Sequence, residues 1–173
     1  MKVFVTGVCG QLGHDVMNEL AKRGYEGVGS DIQEAYAGVA DGTAVTTAPY
    51  VSLDITDQAA VEKVITEIHP DVIVHCAAWT AVDMAEDDDK VAKVRAINAG
   101  GTQNIANVAK AIDAKMVYIS TDYVFDGQGE TPWQPDCKDY KPMNVYGQTK
   151  LEGELAVANT LFQYQLTKRK EVS

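Results

Sequence analysis

The stretch Thr6-Gly7-Val8-Cys9-Gly10-Gln11-Leu12-Gly13 decides the fold of this chain. It follows the apolar run Val3-Phe4-Val5, which is typical of a buried strand, and it opens into a helical pattern over residues 11–23. The spacing of its glycines matches the strand–turn–helix unit that binds the pyrophosphate of a dinucleotide. A glycine-rich turn that binds nothing is the alternative at this point.

Each glycine of this turn has a predicted task. Gly7 makes the tight turn, Gly10 lets a pyrophosphate approach the backbone, and Gly13 lets the helix pack closely against the strand. The helix N-terminus then presents N–H groups and the positive end of its dipole to the phosphates.

Asp31 supports the dinucleotide interpretation. It closes a second predicted strand over residues 26–30 and lies about 20 residues beyond the glycine turn, as such a site requires. Its carboxylate can accept hydrogen bonds from both adenosine ribose hydroxyls and would repel a 2′-phosphate, so NADH is favoured over NADPH. The alternative is an exposed aspartate at a strand end.

Strands alternate with helices along the chain, without a repeat or a linker. This order predicts an α/β fold with a doubly wound parallel sheet of the Rossmann type. Strands are predicted over residues 1–5, 26–30, 50–53, 72–74 and 115–120. Helices are predicted over residues 11–23 and 57–68, in a helical pattern from 91 to 112, and from 144 onward.

Four segments are less regular. Residues 33–49 show no hydrophobic period, which predicts a long loop. Thr56 resembles an N-cap for the helix predicted over residues 57–68. The acidic run Glu86-Asp87-Asp88-Asp89 indicates the charged entrance of the next helix, and its spacing matches no calcium loop. Gly100-Gly101 either weakens the helical pattern or allows close packing on the sheet.

The length and the charge of the chain limit the kinds of function it can have. The 173 residues suffice for one domain with a sizeable core. The formal net charge of −10 argues against binding to nucleic acid or to an anionic membrane. No run of about 18 apolar residues predicts a membrane span, and no signal-peptide pattern precedes the first strand.

The cysteines predict a reducing, cytoplasmic location. Cys9, Cys76 and Cys137 are an odd, sparse set that does not form a disulfide framework. His14 and His75 would lie near the first two cysteines in such a sheet. Their spacing matches no zinc signature, so no metal site is predicted.

We expect the reacting groups of the site to lie at the carboxyl ends of strands four and five, because ligands of open parallel sheets bind at this edge. His75-Cys76-Ala77-Ala78 follows strand four, and its small residues let a cofactor approach the backbone. Ser120-Thr121-Asp122-Tyr123-Val124-Phe125 follows strand five at the same edge.

Tyr146 and Lys150 predict a proton donor. In a helix that begins near Asn144 they lie four residues apart and share one face. A lysine cation near a phenol lowers the phenol pKa and makes it a better proton donor at neutral pH. The alternative is a surface pair on a helix, which the glycine turn, Asp31 and Thr121 together disfavour.

These motifs resemble the extended short-chain dehydrogenase/reductase family. The glycine turn with Tyr146 and Lys150 carries the general likeness. Within that family, the chain closely resembles the dTDP-4-dehydrorhamnose reductases over about residues 1–160. Three segments carry the specific part of this likeness. They are residues 75–83 (His-Cys-Ala-Ala-Trp-Thr-Ala-Val-Asp), 120–127 (Ser-Thr-Asp-Tyr-Val-Phe-Asp-Gly) and 144–154 (Asn-Val-Tyr-Gly-Gln-Thr-Lys-Leu-Glu-Gly-Glu).

The resemblance implies a reduction of the 4-keto group of dTDP-4-dehydro-L-rhamnose. Tyr146 would protonate the alkoxide that forms as the nicotinamide delivers hydride to sugar C4. Lys150 would hydrogen-bond the nicotinamide ribose and tune Tyr146. Thr121 would hydrogen-bond the reacting oxygen, and Asp122 would contact the sugar. The implied catalytic residues are Thr121, Tyr146 and Lys150, and the implied substrate-binding residues are Thr121, Asp122 and Tyr146.

The resemblance also implies a cofactor site for NADH or NADPH. Its residues would be Gly7, Gly10, Gln11, Leu12, Gly13, Asp31, Asp54, Ile55, Ala77, Ala78, Trp79, Thr80, Asn98, Tyr146 and Lys150. Asp31 would hold the adenosine ribose, Asp54-Ile55 the adenine, and Asn98 would support the active site from its helix. Trp79 stands where the family often has tyrosine, which puts one hydroxyl contact in doubt.

Length is the main departure from the family, whose members continue into a further strand and a smaller substrate domain. We therefore expect a dinucleotide-binding domain over residues 1–160 and a truncated or irregular tail over 161–173, within which residues 161–165 could begin a sixth strand. Such a chain would bind dinucleotide weakly to moderately and reduce its nucleotide-sugar substrate poorly or not at all. An exposed face could also drive association into a homo-oligomer.

Two other functions stay open at the level of sequence. One is a nucleotide-sugar epimerase or dehydratase of the same superfamily, although dehydratases tend to carry an acidic residue where this chain has Tyr123. The other is a non-catalytic NAD(P)-binding regulatory subunit, since fold alone does not fix function. The presence of Thr121, Tyr146 and Lys150 counts against that role.

Overall fold

A computed structural model describes residues 1–36 and 48–162. These residues form one parallel sheet with the strand order β3-β2-β1-β4-β5. The strands are β1 Lys2–Thr6, β2 Glu26–Asp31, β3 Tyr50–Ser52, β4 Val72–His75 and β5 Lys115–Tyr118. The chain winds outward from β1 to β3 and then returns to the other side of β1, which confirms the doubly wound sheet.

Helices connect the strands in chain order. They are α1 Gln11–Lys22, α2 Gln58–Ile68, α3 Val91–Arg95, α4 Thr102–Ala111 and α5 Val145–Val157. A wider, π-helical segment, Ala96–Gly101, joins α3 to α4, and a second one, Ala158–Phe162, extends α5. Short 3-10 turns lie at Asp83–Glu86 and Asp122–Val124.

Apolar side chains cover both faces of the sheet, because successive strand residues point to opposite faces. One core lies against α2 and α4 and includes Phe4, Ile65, Ile73 and Ile105. The other core lies against α1 and consists of Val3, Val5, Val8 and Met17. With both faces covered, the open carboxyl edge of the sheet is left for a ligand.

The prediction of Thr56 as an N-cap was wrong by one residue. Asp57 caps α2, since its side chain accepts a hydrogen bond from the Ala60 amide at 3.0 Å. The Asp54 carboxylate already binds the backbone and the hydroxyl of Thr56, at 2.9 and 2.7 Å. Thr56 thus belongs to the turn before the helix, and the side chain that accepts from the helix N-terminus is that of Asp57.

The predicted helical pattern over residues 91–112 is interrupted by the π-helical segment Ala96–Gly101, which contains both glycines. A methyl group at Gly101 would lie 2.6 Å from Cδ1 of Ile55, whereas Gly100 faces open space. The glycine therefore allows close packing, but the partner is the Ile55 side chain after β3. The π-helical segment that contains both glycines lies at this contact.

Most predicted ends agree with the structure to within one residue, but β5 and the predicted sixth strand differ by more. β5 ends at Tyr118, two residues before the predicted end. Leu161 does not begin a strand, because the helix after α5 continues through it and Leu161 packs against the core. The rest of the predicted strand, residues 163–165, and most of the predicted loop, residues 37–47, lie outside the described residues.

Candidate active site

A cavity of about 740 Å³ lies along the carboxyl edge of the sheet. It includes the ends of β1 and β4, where the winding of the sheet reverses and where ligands of such sheets bind. Its wall contains most of the predicted cofactor residues. These are Gly7, Gly10, Gln11, Leu12, Gly13, Asp31, Asp54, Ile55, Ala77, Ala78, Thr80, Tyr146 and Lys150.

The glycine turn requires glycine at two of its positions. Gly7 has a φ of +74°, and a methyl group there would lie 2.6 Å from the Ala77 amide nitrogen. A methyl group at Gly13 would collide with the Gly7 carbonyl, so this glycine lets α1 approach the turn. Gly10 is the N-cap of α1 and has no side chain to cap it, which leaves the helix N-terminus facing the cavity.

Asp31 joins the glycine turn to β2. One oxygen of its carboxylate accepts a hydrogen bond from the Cys9 amide at 2.9 Å, and the other accepts one from the Ile32 amide at 2.8 Å. Burial and the Asp31 charge raise the pKa of the Cys9 thiol, so this cysteine is protonated at neutral pH. The carboxylate thus fixes the turn while it lines the cavity.

Lys150 lines the cavity beside the end of β5. The side chain is buried, and its Nζ donates a hydrogen bond to the Ile119 carbonyl at 2.6 Å. The ammonium also lies 4.3 Å from the centroid of the Tyr118 ring, within cation–π distance. Burial lowers the pKa of Lys150 to about 8.

Tyr146 has a raised pKa, in the opposite direction to the predicted effect of Lys150. Burial is the main cause, while the neighbouring Thr121 side chain acts to lower the pKa. The prediction was wrong because burial of the phenol outweighs the other influences on its pKa, and the Lys150 ammonium instead contacts the Ile119 carbonyl and the Tyr118 ring. Tyr146 is therefore a protonated phenol at neutral pH, which is the form that donates a proton.

Thr121 and Asp122 lie beside Tyr146 but outside the cavity wall. Thr121 caps the 3-10 turn at the end of β5, where its hydroxyl accepts from the Tyr123 amide at 3.2 Å and donates to Asp122 at 3.3 Å. Gly147 allows this arrangement, since a methyl group there would collide with the Tyr123 carbonyl. The close approach of α5 to the turn brings Tyr146 and Thr121 together.

Asn98 and Trp79 also lie behind the wall. The Asn98 side chain accepts from the Trp79 amide at 2.8 Å and donates to the Trp79 carbonyl at 3.2 Å. It donates as well to the hydroxyl of Thr149 on α5, at 3.1 Å. Asn98 thus joins the loop after β4 to the helix that carries Tyr146 and Lys150.

Sequence reasoning missed the role of Glu86. The acidic run does precede α3, as predicted, but the Glu86 carboxylate accepts from the Val145 amide at 2.6 Å and so caps α5. Asn144 caps the same helix, because its side chain accepts from the Gly147 amide at 2.7 Å. Glu86 lies 59 residues before its partner, a separation that carries no local signal.

Glu154 was missed as well. Its two carboxylate oxygens accept from the Ser120 hydroxyl at 2.6 Å and from the Tyr140 hydroxyl at 2.8 Å. The signal was available, since Glu154 lies four residues after Lys150 on the same helix face. Several wall residues were also unpredicted, among them Ser30, Cys76, Lys93, Ala96, Ile97 and Ile119.

Two negative findings apply to residues 1–36 and 48–162. These residues contain no group of three or more His, Cys, Asp or Glu side chains that could hold a metal ion. They also contain no helix with the length and apolar character needed to cross a bilayer.

Known proteins resemble this chain over most of its length. dTDP-4-dehydrorhamnose reductase from Streptomyces griseus is 40% identical over 158 residues, which cover 91% of this chain and 45% of that protein. Methionine adenosyltransferase 2 subunit beta from Bos taurus is 36% identical, with coverage of 90% and 42%. The chain spans about half the length of the curated relatives it matches.

A solved structure shows the same fold. The crystal structure of dTDP-4-dehydrorhamnose reductase from Bacillus anthracis str. Ames in complex with NADP superposes with a TM-score of 0.73 at 35% sequence identity. The superposition covers 92% of this chain and 49% of that one. A family model described as the RmlD substrate binding domain matches residues 1–168, and the chain therefore belongs to this family.

Proposed function

We propose that this chain is the dinucleotide-binding and proton-donating part of an NAD(P)H-dependent reductase of nucleotide sugars. The observation that carries the proposal is one continuous cavity. Its wall contains both the glycine turn, which follows the central strand β1, and Tyr146 with Lys150, which lie beside the end of β5. Such a cavity suits a dinucleotide whose pyrophosphate lies on the turn and whose nicotinamide lies beside a proton donor.

The residues present fit a nicotinamide dinucleotide. Side chains at Gly7 or Gly13 would collide with backbone atoms, and the uncapped N-terminus of α1 faces the cavity. Asp31 lines the same wall at the end of β2, where an acidic residue binds the adenosine ribose. The bound dinucleotide would supply the hydride for reduction.

Tyr146 is the proposed proton donor for a keto group. Reduction adds hydride to the carbonyl carbon, and the oxygen takes the phenolic proton of Tyr146, which leaves a phenolate. Thr121 lies beside Tyr146 and would hold the reacting oxygen. The Lys150 ammonium, buried in the same wall, would bind the nicotinamide ribose.

We propose dTDP-4-dehydro-L-rhamnose as the substrate and its 4-keto group as the site of reduction. The 40% identity to a protein named dTDP-4-dehydrorhamnose reductase supports this choice of substrate. Because the chain spans 45% of that relative, we propose that most contacts to the sugar lie in a part that this chain does not include. Residues 1–160 would then bind dinucleotide while the chain alone reduces the sugar poorly.

NADH is the proposed preferred cofactor. The Asp31 carboxylate at the adenosine end of the cavity would repel the 2′-phosphate of NADPH. The relative from Bacillus anthracis was solved with NADP, so the preference needs a direct comparison of the two dinucleotides.

A non-catalytic dinucleotide-binding subunit is the second candidate. The 36% identity to a protein named as a subunit of methionine adenosyltransferase favours it. It would share the cavity and the glycine turn with the reductase proposal. It would not need Tyr146 to donate a proton, and this difference separates the two candidates.

Titration followed by a reduction assay tests the proposal. NADH and NADPH are titrated against the chain by fluorescence, and dTDP-4-dehydrorhamnose is then added to this chain and to a version as long as its relatives. We expect Tyr146→Phe to bind NADH normally and to lower the rate of hydride transfer by about 10²-fold or more. Tyr25→Phe, a matched change at an exposed tyrosine, serves as the control.

Two results would contradict the reductase assignment. Unchanged hydride transfer in Tyr146→Phe would remove the proposed proton donor. Tight NADH binding without any sugar reduction by the longer version would instead favour the regulatory subunit.

A further inference from the structure

His75 lies at the centre of a buried chain of hydrogen bonds that crosses the sheet. Its side chain is 2% exposed and lies at the end of β4. Its Nδ1 is 2.7 Å from the hydroxyl of Thr6, and its Nε2 is 3.0 Å from the hydroxyl of Thr102. Both threonines are buried to the same degree as the histidine.

The neighbouring groups fix the tautomer of His75. The Thr102 hydroxyl donates its proton to the Asn98 carbonyl at 2.7 Å, so its oxygen can only accept from Nε2–H. The Ala77 amide donates to the Thr6 hydroxyl oxygen at 3.1 Å, which leaves the Thr6 proton free to bind Nδ1. His75 is thus neutral, with its proton on Nε2 and an acceptor at Nδ1.

One end of the chain lies at the glycine turn. Thr6 is the last residue of β1 and directly precedes Gly7. Through its two hydrogen bonds, Thr6 ties this turn to His75 and to Ala77 at the end of β4. A shift of the turn on binding a pyrophosphate would therefore reach Nδ1 of His75.

The other end reaches the helix that carries the proposed proton donor. Thr102 binds Asn98, whose side chain binds Thr149, and Thr149 lies between Tyr146 and Lys150 on α5. The three hydrogen bonds on this path are 3.1 Å or shorter, and the path passes through Asn98 from its backbone carbonyl to its side chain.

Tyr118 gives a second path from His75 to α5. Its ring stacks on the His75 imidazole, with 6.1 Å between the centroids, and its hydroxyl donates to the Lys150 carbonyl at 2.9 Å. The same ring lies 4.3 Å from the Lys150 ammonium. A second cation at His75 would face that ammonium across the ring, and burial together with Lys150 lowers the pKa of His75 to about 3.

We propose that His75, held as the neutral Nε2–H tautomer, is a positioning residue that couples occupation of the glycine turn to the alignment of α5. This inference rests on the proposed dinucleotide binding at the turn. Its specific content is that the two ring nitrogens have separate tasks, one toward the cofactor and one toward the proton-donating helix.

Two variants of His75 each keep one of the two hydrogen-bonding groups of the imidazole ring. His75→Asn keeps an acceptor near the position of Nδ1 and loses the donor toward Thr102. His75→Gln keeps a donor near the position of Nε2 and loses the acceptor toward Thr6. Ile65→Val, in the core against α2, is the control for a general loss of packing.

The readouts are NADH affinity by titration and the amide NMR shift of Thr149 when NADH is saturating. We expect His75→Asn to bind NADH within about twofold of the unsubstituted chain while the NADH-induced shift of Thr149 falls by at least half. We expect His75→Gln to bind NADH about tenfold more weakly and to keep the shift at saturation. Ile65→Val should change neither readout.

The tautomer is measured separately by ¹⁵N NMR without dinucleotide. A proton on Nε2 and none on Nδ1 at neutral pH is the expected result, and the opposite tautomer or an imidazolium would overturn the inference. Identical effects of His75→Asn and His75→Gln would also overturn it, because a merely structural histidine would give that result. Failure of the unsubstituted chain to bind NADH would overturn the proposed function and, with it, the coupling.

Discussion

Lys150 shows, at the scale of a single residue, a conflict between the fold and the proposed chemistry. Burial disfavours its ammonium form and lowers its pKa to about 8, from an ordinary value of 10.5. The Ile119 carbonyl and the Tyr118 ring offset part of this penalty. The fold therefore holds a cation at a position where a neutral side chain would be more stable.

Replacement of Lys150 by methionine should change how stability depends on pH. Between pH 8 and 10.5 the unfolded lysine keeps a proton that the folded lysine has lost, so the stability of the unsubstituted protein rises with pH in this window. Relative to Lys150→Met, we expect a gain of about 2 kcal/mol between pH 7.5 and 10. Urea unfolding of both proteins at several pH values measures it, and a constant difference between them would contradict the pKa of Lys150.

Asp31 should determine the choice between the two dinucleotides. In Asp31→Asn, the lost charge removes the repulsion of a 2′-phosphate, while the amide oxygen can still accept from the Cys9 amide. We expect the affinity for NADPH relative to NADH to rise about tenfold, which is ~1.4 kcal/mol. Asp15→Asn, which removes the same charge from an exposed position of α1, should leave the ratio unchanged. An unchanged ratio in Asp31→Asn would show that the carboxylate does not face the ribose.

At the scale of elements, adjacent glycines offer a matched pair of substitutions. Gly101→Ala would place a methyl group 2.6 Å from Ile55, so we expect a loss of about 1–3 kcal/mol in the free energy of unfolding. Gly100→Ala meets open space and removes the flexibility of glycine from a helical segment. It should stabilise the protein by up to about 1 kcal/mol. Equal effects of the two variants would contradict the close packing at Ile55.

The strands and most helices were predictable because they have local causes. The run at Val3–Val5 and the glycine spacing after it define β1, the turn and α1 from adjacent residues alone. The alternation of strands and helices along the chain, which predicts the parallel sheet, is likewise visible from local patterns. The N-cap of α2 was missed because Thr56 and Asp57 are both favourable cap residues, and sequence spacing does not rank such adjacent alternatives.

The interior of the candidate site was less predictable, since its contacts join residues far apart in the chain. Lys150 binds a backbone carbonyl, that of Ile119, and any residue type could supply it. The cap that Glu86 gives α5 is equally invisible to a local pattern. The sequence indicated Tyr146 and Lys150 by their spacing, but the direction of the Tyr146 pKa shift depended on what surrounds them.

At the scale of the whole molecule, the sheet places every part of the proposed chemistry on one edge. The glycine turn follows β1, Asp31 ends β2, and α5 brings Tyr146 and Lys150 to the same cavity. The buried chain through His75 then joins two ends of this edge through the interior. The proposed function depends on this convergence and on no single motif.

A crystal structure of the chain with NADH tests the convergence most directly. We expect the pyrophosphate to lie on the N-terminus of α1 at Gly10 and the adenosine ribose on Asp31. The nicotinamide should lie beside Tyr146 and Lys150 in the same cavity. A dinucleotide bound elsewhere, or bound with Tyr146 turned away from the nicotinamide, would contradict it.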